Sequence, residues 1–115
     1  MLLDVGDTVL VSHRRMFQHD ESRFFVGKLI GSDHELLKLQ GYTFVRDLSS
    51  GKIIRKDELR VKLLSLASPG YIYYQIAGEV DVENLNIDCN AGEETLTDGR
   101  RVLMNLAERS HSGHI

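Results

Sequence analysis

Catalytic motifs are missing from this 115-residue chain. It has no glycine-rich phosphate loop, no metal-ligand cluster, and no nucleophile set beside a histidine and a carboxylate at recognisable spacing. The expectation is a protein that is not an enzyme and needs no cofactor or metal. Cysteine occurs once, at Cys89, so no intramolecular disulfide can form, and no basic neighbour is near in sequence to activate the thiol. No charged-then-apolar leader opens the chain, and these two absences together predict a reducing, cytoplasmic setting. No apolar run approaches the ~18 residues of a membrane span, so no membrane partner is expected. Proline also occurs once, at Pro69 beside Gly70, which makes residues 68–70 the strongest turn or boundary signal. Basic residues are wholly absent from residues 79–98.

What is present suits a domain with a real core. At 115 residues and 42 % hydrophobic, the chain can bury roughly two thirds of its unfolded surface without a metal or disulfide staple. The net charge of −3 is unevenly spread: residues 1–78 carry eleven Lys/Arg against nine Asp/Glu, a balance of +2, whereas residues 79–115 carry three against eight, a balance of −5. The first part could therefore hold a basic surface that the total conceals. The division expected is a β-barrel over 1–78 and an acidic extension over 79–115, ending in a frayed tail.

Period-two alternation dominates the first part. "GDTVLV" places Val9 and Val11 on one strand face, and "RFFVGKLIGS" places Phe25, Gly27, Leu29 and Gly31 on one face with Phe24, Val26 and Ile30 on the other. Two apolar faces imply a cover for this strand, such as another subunit. "SDHE" turns the chain, Leu37 and Leu39 resume the alternation to about Arg46, and "LSSG" makes a second turn. In "LRVKLLSL", Leu59, Val61 and Leu63 alternate with Arg60 and Lys62, which favours strand over the helix that Leu59, Leu63 and Leu66 would also allow. "YIYYQIA" reads as a sixth strand. Residues 79–98 read as a loop or loosely held extension. Thr97 or Asp98 then offers an N-cap for a short C-terminal helix, with Val102, Leu103 and Leu106 on one side. The fold class expected is mainly β: a small, strongly bent, five- to six-stranded SH3-like barrel with a short C-terminal helix.

Phe25-x-Gly27-x-Leu29-x-x-x-Asp33 resembles the first motif of the Sm/LSm family of RNA-associated proteins, and Ile54-Arg55 with Leu59 echoes the second. Leu37, or Leu36 if the turn is one residue shorter, stands where the family's first motif has asparagine, and Lys56 where its second has glycine. The resemblance covers roughly residues 7–66. It implies a strongly bent five-stranded sheet whose edge strands pair between subunits into a homo-oligomeric ring. It also implies a pore, lined by residues of the Asp33 turn and by Arg55, that holds single-stranded RNA or DNA. The missing asparagine removes the basis for uridine selectivity, and the bacterial branch's basic-histidine-alanine motif is absent.

The candidate nucleic-acid contacts are thus Asp33, His34, Arg55, Lys56, Arg14 and Arg15. Each has a plainer reading. Asp33 also suits a turn for local reasons, and His34 is an exposed turn residue that could stack on a base. Arg55 and Lys56 also suit a solvated strand end. His13, Arg14 and Arg15, close to Arg23 across a hairpin, form either a basic patch or a loop kept charged for solubility. Tyr71, Tyr73 and Tyr74 suit base stacking, or packing in a core or interface. His111 and His114 make no dedicated metal site alone. Two functions follow: a ring-forming protein binding single-stranded nucleic acid, or an SH3-like protein-interaction or assembly module that binds none.

Overall fold

Alternating β-branched, aromatic and polar residues fold here into two antiparallel sheets. The computed structural model describes residues 2–13, 23–90 and 93–106. The first sheet contains β1 (Thr8–His13), β2 (Arg23–Asp33), β3 (Leu36–Arg46), β4 (Ile53–Arg55), β5 (Arg60–Ser65) and β6 (Tyr71–Ile76). Its order is β4-β3-β2-β1-β6, and β5 pairs with β3 alongside β4. Leu36 to Gly41 of β3 pair with β5, and Phe44 to Arg46 pair with β4. The second sheet is a meander of β7 (Asn86–Asn90), β8 (Glu93–Thr97) and β9 (Val102–Asn105).

Two glycines govern the first sheet. Gly27 and Gly41 are direct cross-strand partners. A Cβ on Gly27 would stand 2.7 Å from the Gln40 carbonyl oxygen, and one on Gly41 would overlap the Val26 carbonyl. Only residues without a side chain allow β2 and β3 to approach this closely. A bulge between Leu29 and Gly31 adds a further bend. The sheet curls around Val9, Val11, Phe25, Leu29, Leu37, Leu39 and Leu64, with Tyr71 and Tyr73 packed against them. Leu64 comes from β5 and Tyr73 from β6, so opposite ends of the sheet meet in one cluster. The Tyr73 hydroxyl donates to the Ser65 carbonyl at 2.7 Å. Among the described residues no ladder joins β5 to β6, and the sheet stops short of a closed barrel.

The other face of β2 is indeed apolar, and the chain itself covers its Phe24 and Val26 while leaving Ile30 41 % exposed. Leu10, Val26, Tyr42, Phe44, Ile53 and Ile76 pack against Val80, Val82, Leu85, Leu96 and Leu106. No second subunit is needed to explain the apolar groups at Phe24 and Val26. The residues expected to form a loose loop, 79–98, instead carry a 3-10 turn (Val82–Asn84), β7 and β8. Their few large apolar groups suffice because each is spent on this one face.

The expected C-terminal helix is also replaced by strand. Thr97 and Asp98 use their side chains to close the β8–β9 turn. The Thr97 hydroxyl donates to the Arg101 carbonyl at 2.9 Å and accepts the Gly99 N–H, while Asp98 accepts the Arg100 and Arg101 N–H groups. Gly99, at φ +86°, supplies the left-handed residue the turn requires. The second Asp98 oxygen accepts the Asp81 N–H at 3.2 Å, tying the turn to the covering segment.

Two stability experiments follow. Gly41→Ala should lower unfolding free energy by about 3 kcal/mol in urea titrations, the cost of forcing a methyl group against backbone. Gly31→Ala, with nothing within 4 Å of its Cβ position, should change it by less than about 0.5 kcal/mol. The hydrogen bonds from the Asp81 and then the Arg100 N–H hold the Asp98 carboxyl below its ordinary value of 3.8. With the folded value below the unfolded one, its stabilising effect is complete above about pH 4 and disappears as pH falls through the folded pKa. Asp98→Asn should therefore be less stable than wild type at pH 7, and the two urea midpoints should converge as the solution is acidified toward pH 2.

Candidate functional site

The turn joining β2 to β3 carries Asp33 and His34. Both are exposed; the imidazole Nε2 lies 3.5 Å from the Asp33 carboxylate, and His34 sits at φ +54°. Beside this turn runs the end of β5: Leu36 pairs with Ser65, and the Leu66 N–H donates to the Glu35 carbonyl at 2.7 Å. The adjoining residues 66–70 carry no charge.

Arg55 lies elsewhere. It pairs with Phe44, whereas Asp33 pairs with Leu36, so the two are separated by eight residues of β3, about 25 Å at ~3.3 Å per residue. They are not brought together. Arg55 is also engaged within the chain: its guanidinium lies 4.6 Å above the Tyr42 ring and donates to the Glu83 carbonyl at 2.7 Å. The Tyr42 hydroxyl donates to the Glu83 carboxylate at 2.7 Å, and that bond, then burial, holds its pKa above the ordinary value. Arg46 likewise reaches the acidic segment through Glu94, at 3.0 Å. Cations of the first part are thus partly spent on fastening the second. Lys56 is exposed and bonds through its backbone N–H to the Thr43 carbonyl. Arg14 and Arg15, like His111 and His114, lie outside the described residues.

The tyrosines pack. Tyr71 meets the His13 ring edge-on at 5.3 Å, Tyr73 lines the interior, and Tyr74 packs against the covered cluster. Among the described residues no three His, Cys, Asp or Glu side chains are grouped to hold a metal ion, and no helix is long and apolar enough to cross a membrane.

A different surface stands out on β5. The alternation of "LRVKLLSL" is real, but the register opposes Leu37 to Leu64 and Leu39 to Lys62, which turns Leu64 and Lys62 inward and Val61 and Leu63 outward. Val61 is 49 % and Leu63 67 % exposed; Leu36, on the same outer face, is 46 % exposed, and Ile30 at the bulge 41 %. The second sheet covers only the half of this face nearer β4, and the rest is bare. A cleft of about 380 Å³ marks the boundary, between Lys28 and Gln40 on the sheet and Glu79, Asp81 and Glu83 on the covering segment.

This bare half ends on an open edge. The Leu66-to-Glu35 bond places the β3-directed backbone groups of β5 on Leu64, Lys62 and Arg60. In an antiparallel ladder the N–H and C=O of Val61 and Leu63 then point away from the sheet. Among the described residues no strand meets them. Behind this edge Lys62 extends over the Phe25 ring, its Nζ 4.8 Å from the centroid, and burial, then the charges of Arg23 and Arg60, pull its pKa below the ordinary value. Polar alternation alone marks Val61, Lys62 and Leu63 as strand residues. It does not say which set faces water, because both sets here contain apolar residues.

No family model, curated protein or solved structure matches the chain.

Removing Arg55 checks whether its role is internal. Arg55→Ala should lower unfolding free energy by about 1 kcal/mol, through loss of the Tyr42 and Glu83 contacts. Any binding of oligo-RNA at low salt, and the slope of that binding with salt, should be the same for Arg55→Ala as for wild type.

Proposed function

We propose that the chain is a non-catalytic interaction and assembly module of the SH3-like kind, which holds a partner protein against the uncovered half of its first sheet. One observation carries this reading: the large apolar side chains of Leu36, Val61 and Leu63, with Ile30 nearby, stay exposed around Lys38 and Gln40 and reach the open edge of β5. Large apolar groups gathered beside unpaired backbone favour a protein chain, which can use both, over a phosphate backbone, which uses neither. The SH3-like reading is supported by the curl of short strands around one interior cluster, with β6 returning to pair with β1. Peptides selected from a displayed library on the wild-type chain should bind the Leu36→Gln/Leu63→Gln double variant at least about tenfold more weakly. The variant itself should keep its stability within about 1 kcal/mol, since both side chains are exposed. Selected peptides indifferent to both substitutions would refute the surface.

The second reading is the Sm-like ring that binds single-stranded RNA. Its support is the placement of Phe25, Gly27, Leu29 and Asp33 on β2 and at its end, together with an unpaired β5 edge that could join subunits. It lacks a shared site for Asp33 and Arg55. Light scattering on a size-exclusion column decides between the two: a stable closed oligomer of several 13.0 kDa subunits that binds oligo-RNA would favour the ring, and a monomer would exclude it.

A further inference from the structure

We propose that the open edge of β5 receives an extended partner segment in which apolar and acidic residues alternate. The segment adds as a further strand, its apolar side chains against Val61 and Leu63 and a carboxylate against Lys62. This rests on the interaction-module reading and adds the chemistry of the partner.

Three features define that chemistry. First, the outward N–H and C=O groups of Val61 and Leu63 offer a short ladder to any extended chain, whatever its sequence. Second, residues opposite one another in a ladder share a face, so those opposite Val61 and Leu63 join the bare apolar row, while the residue opposite Lys62 lies on the inner face. Third, that inner face is basic at this edge. Arg60 is shared with Glu58 at 3.0 Å, but among the described residues no carboxylate pairs with Lys62 or with Arg23. Lys62 is half-buried, with two other cations near enough to disfavour its charge. A carboxylate arriving opposite it would relieve that repulsion in a partly dry setting, where an ion pair is worth more than on an open surface.

Among the described strands, a second copy of this chain offers no such partner. Two β5 strands paired about Lys62 would set lysine against lysine. Paired about Leu63, they would place Leu64 opposite Lys62 and would need the Ser65 carbonyl, which already accepts from Tyr73 and Ser68. β6 contains no acidic residue. In β7 the order Ile87-Asp88-Cys89 has the required alternation, but Ile87 is already packed against the cluster that the second sheet covers.

The test uses the full chain and three capped eight-residue peptides, alternating Val with Glu, with Lys or with Ser. Amide hydrogen exchange at Val61 and Leu63 reports edge pairing, and fluorescence polarisation reports affinity. The Val/Glu peptide should slow exchange at both amides and bind at least tenfold more tightly than the Val/Lys peptide. Lys62→Gln should abolish that preference and Lys62→Glu should reverse it, with exchange in β1 and β2 showing that each variant is folded. Equal protection by all three peptides would overturn the acidic partner while leaving the interaction surface standing. Protection by none would overturn both. Protection that grows with protein concentration in the absence of peptide would mean that the edge serves a second copy, and would overturn the proposal.

Discussion

The close approach of the β2 and β3 backbones at Gly27 and Gly41 sets the shape of the first sheet. With no Cβ at either position, the paired strands β2 and β3 come together closely there. Phe25 and Leu29 on one side of Gly27 turn into the curled interior, while Val26 on the other lies fully buried beneath the second sheet. The spacing Phe25-x-Gly27-x-Leu29 therefore has a sufficient cause in packing. It needs no nucleic acid to explain it. Asp33, by contrast, lies at the exposed end of β2, beyond the bulge, where nothing in the interior dictates an aspartate.

Because the first sheet is buried on one face by its own curl and on half of the other by residues 80–106, the molecule solves two burial problems with one short chain. Apolar area removed from water contributes about 25 cal/mol per Å², so the large side chains of each cluster must find cover somewhere. Val80, Val82, Leu85, Leu96 and Leu106 provide it for the half nearer β4, and Arg46 and Arg55 hold that cover in place through Glu94 and the Glu83 carbonyl. The acidic character of the second part thus has a local role as counter-charge to the first. The cover then stops at the cleft beside Lys28 and Gln40, and what it leaves bare is as informative as what it hides.

Much of this was legible in the residues. Most of the first sheet follows from the sequence: β1, β2, β3 and β5 from period-two alternation, which leaves a direct imprint, and β6 from its aromatic and β-branched composition, with glycine, proline and serine turns between them. The second sheet was not. Residues 79–98 are poor in large apolar groups, and only tertiary contact with Tyr42, Phe44 and Ile53 makes so sparse a pattern sufficient. The helix expected after Asp98 failed for a related reason: an aspartate that can cap a helix can equally close a tight hairpin, and Gly99 in the left-handed region decides for the hairpin. The candidate site was the least legible. The motif-like Asp33 and Arg55 are joined by sequence resemblance but separated by the length of β3. The exposed pair Val61 and Leu63 looks, by composition alone, like part of the core.

Lys62 sharpens the meaning of the open edge. A long apolar strand edge invites indiscriminate pairing, and an inward-pointing charge is one of the ways proteins suppress it. Lys62 does that here, since any strand bringing a neutral or basic residue opposite it leaves a half-buried ammonium with the Phe25 ring and no carboxylate. The cost of that mismatch is also what makes the edge selective: the same lysine that discourages most strands favours one that carries a carboxylate at that position, and the difference between the two cases is the specificity. A solvated lysine at the tip of a loop would discriminate far less, because water would compensate it equally in both. Placement over Phe25, within reach of the charges of Arg23 and Arg60 and partly withdrawn from water, gives a single residue leverage over which chain can complete the sheet.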